Sequence, residues 1–358
     1  MKKLNRFVVI VICLLTLAIA GCKRSEKPVV SKDSQKDVSQ EVKQFDYKQI
    51  ELANGLKVIT LEDFSCPIVN VQIWYHVGSK NERPDRQGYA HMFEHMMFKG
   101  TDLVGPTEHF DIINKLGGIN NGYTSFDKTV YYETLPANQI EVALWLEAER
   151  MAFLKIDQNS FDNERKVVEE ELRNKENQPF GTLFKKAAAA IFTVSPYRWT
   201  PIGSISDLRA TSVEDLRKFW TNYYVPNNST LIIVGAVKHE DAEKLAEKYF
   251  GWMPKWNIVE NKIAQEPPQT EPKTAVIDDE NAPVGGVGLV WRTVPCGNKD
   301  EIVLDLLAEI IGGGNSSWMY RDLVAEKQVA VKAMATTYNL EDDGVFMAGA
   351  VLSPLAPN

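Results

Sequence analysis

Between Gly88 and Gly100 the chain reads Tyr89-Ala90-His91-Met92-Phe93-Glu94-His95-Met96-Met97-Phe98-Lys99, and no other stretch restricts the fold so tightly. No Pro or Gly interrupts it and Gly100 offers a stop, so it predicts a short helix. On a helix, positions i and i+4 stand on the same face. His91 and His95 can therefore present two imidazole nitrogens to one point, with Glu94 beside them. Two histidines at this spacing suit zinc, and a glutamate that is not a ligand can serve as base for a metal-bound water. A solvated helix face would also accommodate three polar residues. The flanks argue against it: Met92, Phe93, Met96, Met97 and Phe98 make most sides apolar, and buried His and Glu need partners or a metal.

A catalytic zinc takes three protein ligands and keeps one position open. The third ligand has to be brought in by the fold, and the helical pattern over residues 163–173 is the candidate region. Glu164 and Glu171 are seven apart and share one face two turns apart. Glu/Arg/Lys runs also make ordinary solvated helix surface. Spacing alone leaves Glu169, Glu170 and Glu171 open as the ligand.

His91-x-x-Glu94-His95, followed by Glu164 and Glu171, resembles the inverted zinc motif of the M16 peptidases, the family of pitrilysin, insulin-degrading enzyme and the mitochondrial processing peptidase. The resemblance extends to Gly117-Gly118-Ile119-Asn120-Asn121-Gly122-Tyr123-Thr124-Ser125, Asp127, Thr129 and Tyr131, and runs from about Tyr47 to the end, most like the shorter bacterial members. It implies Glu171 as the third ligand of one Zn2+ per chain, 171 − 95 = 76 residues after the second histidine. It also implies Glu164 as an orienting partner behind a ligand, Glu94 as the catalytic base, and an edge strand containing Asn121 that takes substrate as an added strand. The implied activity is a zinc-dependent endopeptidase acting on peptides or unfolded segments. The alternative is a non-catalytic binding or regulatory subunit of an M16-type complex. A homodimer, or pairing with an inactive homologue, is the implied assembly. The anchor described next would also suit a transport or adhesion lipoprotein, which leaves the zinc motif unexplained.

Lys2, Lys3 and Arg6 precede an apolar run over residues 7–20, which is too short to span a bilayer comfortably and reads as a leader core. Ile19-Ala20-Gly21-Cys22 looks like a bacterial lipobox, with Cys22 lipidated after removal of residues 1–21. Stacked acyl chains would anchor the chain stably. Lys23 after the cysteine favours the periplasmic face of the outer membrane. Residues 22–44 are polar and read as a tether, reaching about 25 Å as a coil. Net charge −8 gives no footprint for nucleic acid. With Cys13 and Cys22 assigned to the leader and the anchor, only Cys66 and Cys296 remain, too few for a disulfide scaffold.

Hydrophobic content of 44% supports large cores. Residues 45–256 alternate strand and helix patterns and predict a layered α/β catalytic domain with a mixed sheet flanked by helices. Residues 257–273, rich in Pro, Gln and Glu, read as a linker. From residue 274 the pattern of the first domain returns: Pro67 and Trp74 find counterparts in Pro283 and Trp291, offset by 283 − 67 = 216 and 291 − 74 = 217. Shifting the His91–His95 motif by 217 lands on Ala308-Glu309-Ile310-Ile311-Gly312, which holds no ligand set. Residues 274–358 are therefore expected to form a partial, inactive M16-like C-terminal domain.

Overall fold

The computed structural model describes residues 6–11 (backbone only), 45–258 and 262–355. In chain order the elements are β1 (Arg6–Val11), β2 (Tyr47–Glu51), β3 (Lys57–Glu62), β4 (Ile68–Tyr75), α1 (Tyr89–Met96), α2 (Glu108–Lys115), β5 (Ile119–Thr124) and β6 (Thr129–Pro136). Then come α3 (Ile140–Phe153), α4 (Gln158–Glu176), α5 (Leu183–Ile191), α6 (Ile205–Ala210), α7 (Val213–Tyr223), β7 (Ser229–Gly235) and α8 (His239–Phe250). The second half contains β8 (Lys273–Asp278), β9 (Gly286–Thr293), α9 (Glu301–Gly312), β10 (Ala330–Asn339) and β11 (Gly344–Leu352).

Two mixed sheets carry the fold. The first has the order β2-β3-β7-β4-β6-β5. Period-two alternation in β4 buries Val69, Val71, Ile73 and Tyr75 completely. The opposite face holds a polar ladder in which Trp74 Nε1 donates to Gln72 (2.7 Å), Gln72 to Asn70 (2.7 Å) and Asn70 to Thr134 (2.8 Å). Helices α1, α3, α4, α7 and α8 contribute to one core with this sheet, including Met92, Phe93, Met96, Leu144, Val168, Leu216 and Ala242. The Asn54-Gly55 turn is tied to the end of α8, since Asn54 Nδ2 donates to Phe250 O (2.8 Å) and Met253 O (3.1 Å).

The second sheet has the order β10-β11-β9-β1-β8. Strands β8 and β9 stand where the internal repeat places them, because β3 shifted by 216 is residues 273–278. Helix α9 lies on β10, and Gly312 lets them touch: a Cβ there would sit 1.8 Å from Ala335 N. The outer face of α9 leaves Ile302, Val303, Leu306, Leu307 and Ile310 exposed.

Residues 7–20 read from sequence as a leader core, whereas the structure lays Arg6–Val11 down as a strand between β8 and β9. A β-branched apolar run forms a strand as readily as a leader. Cys22 and the tether lie outside the described residues. Helix α3, read as amphipathic, is buried nearly all round, including Glu147, Glu149 and Arg150. Cys66 and Cys296 are free and exposed. No helix among the described residues is long and apolar enough to cross a membrane.

Candidate metal and catalytic site

The core built by the first sheet holds α1 in place. Its N-cap is Gly88, at φ 93, in the left-handed region that glycine tolerates. Glycine offers no capping side chain, so a residue six positions earlier supplies one. Glu82 accepts from Gly88 N–H (2.9 Å) and Ala90 N–H (2.8 Å). Burial pushes the Glu82 carboxyl up to about 8, against the pull of these donors.

His91 and His95 project from α1 with ring centroids 4.9 Å apart. Helix α4 crosses behind them and delivers two glutamates. Glu171 Oε2 lies 3.7 Å from His91 Nε2 and 3.6 Å from His95 Nε2. The donor atoms of His91, His95 and Glu171 all fall within 4.8 Å of one another. Of the three neighbours that spacing left open, Glu169 is engaged by Arg209 (2.7 Å) and Arg173 (2.9 Å). Glu170 faces outward toward Arg173 at 3.4 Å. Glu171 alone turns toward the histidines.

Glu164, one of the few acidic side chains buried on α4, accepts from His95 Nδ1 at 3.3 Å. Its other oxygen accepts from Lys99 Nζ at 2.6 Å. This ties the ring of His95 so that Nε2 faces Glu171. Lys99 was invisible to spacing arguments; only its place just past α1, beneath Glu164, reveals it. Nδ1 of His91 is buried and makes no hydrogen bond among the described residues.

The electrostatics follow from the crowding. Burial, and then the neighbouring His95, lower His91 to about 4. Burial opposes charge on His95 too, but the bonds to Glu164 and Glu171 outweigh it and raise His95 to about 9. The bond to His95 holds Glu171 below its ordinary range. Burial raises Glu94, and the bond from Thr124 works against that rise. Two imidazole nitrogens and a carboxylate oxygen, converging beside further carboxylates, form a donor set that fits zinc.

Strand β5 forms the free edge of the first sheet beside α1. Asn120, Gly122 and Thr124 are half-buried, whereas Ile119, Asn121 and Tyr123 are exposed. Asn121 Oδ1 accepts from Gly122 N–H (2.9 Å). A second group of candidate ligands, His109 of α2, Glu133 of β6 and Glu147 of α3, is buried. There Arg150 already bonds Glu147 Oε2 through Nε at 2.8 Å and lies 3.4 Å from Glu133, so the guanidinium fills the place of a cation.

The fold and this site define a class. A family model described as Insulinase (Peptidase family M16) matches residues 57–199, and one described as Peptidase M16 inactive domain matches residues 210–357. The zinc protease PqqE of Helicobacter pylori is 33% identical over 307 residues, which cover 84% of this chain and 69% of that protein. A probable mitochondrial-processing peptidase subunit beta of Arabidopsis thaliana is 26% identical, over 84% of this chain and 58% of its own length. The crystal structure of a protease from Helicobacter pylori superposes with a TM-score of 0.83 at 30% identity, covering 87% of this chain and 76% of that one. Pitrilysin, at 20% identity and TM-score 0.70, shares the fold over 87% of this chain and 34% of its own. The chain belongs to the M16 peptidase family.

Proposed function

We propose that the chain is a zinc endopeptidase that hydrolyses peptides or unfolded polypeptide segments. The observation that carries this reading is the convergence of His91 Nε2, His95 Nε2 and Glu171 Oε2, with the carboxylate of Glu94, which is outside that donor set, one residue before the second histidine. His91, His95 and Glu171 would hold one zinc ion. When bound, zinc supplies a Lewis acid and lowers the pKa of water.

The chain's own residues do the rest. Glu164 keeps His95 turned toward Glu171, and Lys99 keeps Glu164 ionised and in place. Glu94 takes a proton from the attacking water and returns it to the leaving amine. An extended substrate pairs its backbone with the open edge of β5, where main-chain bonds are indifferent to sequence, and Asn121 contacts it there. Measuring zinc content and cleavage of an unstructured peptide mixture, in wild type and Glu94→Gln, tests this. One zinc in both with cleavage in wild type alone supports it; cleavage by the variant removes Glu94 from the role of base.

A non-catalytic subunit is the second reading, favoured by the match of residues 210–357 to a domain described as inactive. Stoichiometric peptide capture without turnover would select it. Relatives named as a subunit make pairing with a second chain, identical or inactive, part of the proposal; the mass of the protein in solution checks it. We further place the mature chain in a bacterial envelope, lipid-anchored through Cys22 at the periplasmic face of the outer membrane. The run over residues 7–20 and the Ile19-Ala20-Gly21-Cys22 sequence support this. Cys22→Ala should then abolish fatty-acid labelling and release the protein from membranes.

A further inference from the structure

Thr124 Oγ1 donates to Glu94 Oε2 at 2.6 Å. The hydroxyl belongs to the last residue of β5, and the turn that follows fixes where it stands. Ser125 N–H donates to Lys128 O (2.8 Å), Ser79 N–H to Ser125 O (3.2 Å) and Lys80 N–H to Phe126 O (3.0 Å). Asp127 is gripped on three sides. Tyr197 OH donates to it at 2.6 Å, Lys80 Nζ lies 3.1 Å away, and Glu341 N–H donates at 3.2 Å. Lys80 is only 5% exposed and also reaches Asp342 at 3.1 Å. The turn that presents Thr124 is thus clamped partly by the loop between β10 and β11, in the second half of the chain.

A carboxylate beside two histidine ligands has two futures. It can act as a base, or it can swing in as one more ligand and close the position that water needs. A hydrogen bond from a rigidly placed hydroxyl chooses between them. We propose that Thr124 is a positioning residue that holds the Glu94 carboxylate off the metal so that it serves as base, with the Lys80–Asp127–Glu341 clamp setting the place of the hydroxyl. This inference rests on the peptidase reading above for its kinetic consequence, but not for its spectroscopic one.

Cobalt(II) in place of zinc reports the coordination directly, because four-coordinate cobalt absorbs visible light more strongly than five-coordinate cobalt. Thr124→Val should lower that absorption as Glu94 joins the metal. Thr124→Ser should keep the wild-type spectrum, and Glu94→Gln added to Thr124→Val should restore it. Asp127→Asn, which loosens the turn without touching Glu94, should shift the spectrum the same way by less. In zinc-loaded protein, Thr124→Val should cut kcat by roughly 10–100-fold with KM nearly unchanged, and Thr124→Ser should recover it. An unchanged cobalt spectrum in both Thr124→Val and Asp127→Asn overturns the proposal, and so does a Thr124→Ser variant that behaves like Thr124→Val. If the spectra respond as described while the wild type cleaves nothing, the positioning role stands and the peptidase reading falls.

Discussion

The two sheets solve the same packing problem in opposite directions. In the first, β7 lies between β3 and β4, parallel to β3 and antiparallel to β4. In the second, β1 lies between the counterparts β8 and β9, yet runs antiparallel to β8 and parallel to β9. The two occupants, Ser-Thr-Leu-Ile-Ile-Val-Gly and Arg-Phe-Val-Val-Ile-Val, share a β-branched apolar run and little else. A central slot in a sheet demands backbone partners and apolar residues on both faces. Direction is set by the connection, and β1 arrives from the N-terminus whereas β7 arrives from α7. Cleavage before Cys22, as proposed, would take β1 with it and unpair the facing edges of β8 and β9.

The sharpest test exchanges charge into the two slots. Ile233 in β7 is fully buried, and Ile233→Asp should cost on the order of 4 kcal/mol or more and abolish zinc binding. In a chain that retains residues 1–21, Val9→Asp in β1 should leave zinc binding and the melting of the first half untouched. Thermal unfolding with zinc retention distinguishes them, and equal losses would mean that the two sheets do not behave as separate units. Stoichiometry comes next. Despite the duplication, one zinc per chain is expected, falling to none in His91→Ala, because α9 carries no ligand set; metal analysis that finds two would break the asymmetry.

The halves should also respond to pH with opposite signs. Glu147 in the first core is pushed by burial from an ordinary 4.5 to about 8. Its folded form holds a proton that the unfolded chain releases above about 4.5, so its contribution is full below that pH and is lost as pH rises through about 8. Glu147→Gln should flatten the alkaline loss of stability in a urea titration. Glu266 and Glu341 instead sit near 2. Burial works against the Glu266 charge, but donors from Thr193 to Ser195 prevail; Glu341 is held down first by His76 and then, against burial, by Lys80. Both join the second half to the first, so these contacts are present above the ordinary 4.5 and are lost as pH falls toward 2. Limited proteolysis at pH about 3 should therefore clip the second half before the first. The smallest effect is expected from Lys99→Met, which leaves Glu164 without its cation and should weaken zinc affinity by roughly 10-fold or less, read by chelator competition.

Much of this was legible in the residues. A one-face pair of histidines and a repeat offset of 216 to 217 are periodic or additive signals that survive without coordinates, whereas Glu171 as third ligand was implied only by the resemblance to the M16 motif. What stayed hidden was what the tertiary fold makes from parts distant in sequence. Glu82 caps α1 across a loop that has no helix signal of its own. Arg150, Glu147, Glu133 and His109 look like surface charges until α3 is seen to be buried. Thr124 is an unremarked strand residue until its hydroxyl meets Glu94. The choice among Glu169, Glu170 and Glu171 needed Arg209, which α6 brings in and which draws Glu169 away.

The remote cap on α1 has an electrical consequence. A helix of eight residues is about 12 Å long and carries partial positive charge at its amide end and partial negative charge at its carbonyl end. Glu82 accepts from two of the amides at the first of these. The second lies at His95, where Glu164 and Glu171 add their own charge. The amide end of the helix is thus occupied by a side chain from across the loop, while its carbonyl end and the side chains of Glu164 and Glu171 point the same way, so that backbone and carboxylates together favour a cation at the imidazoles.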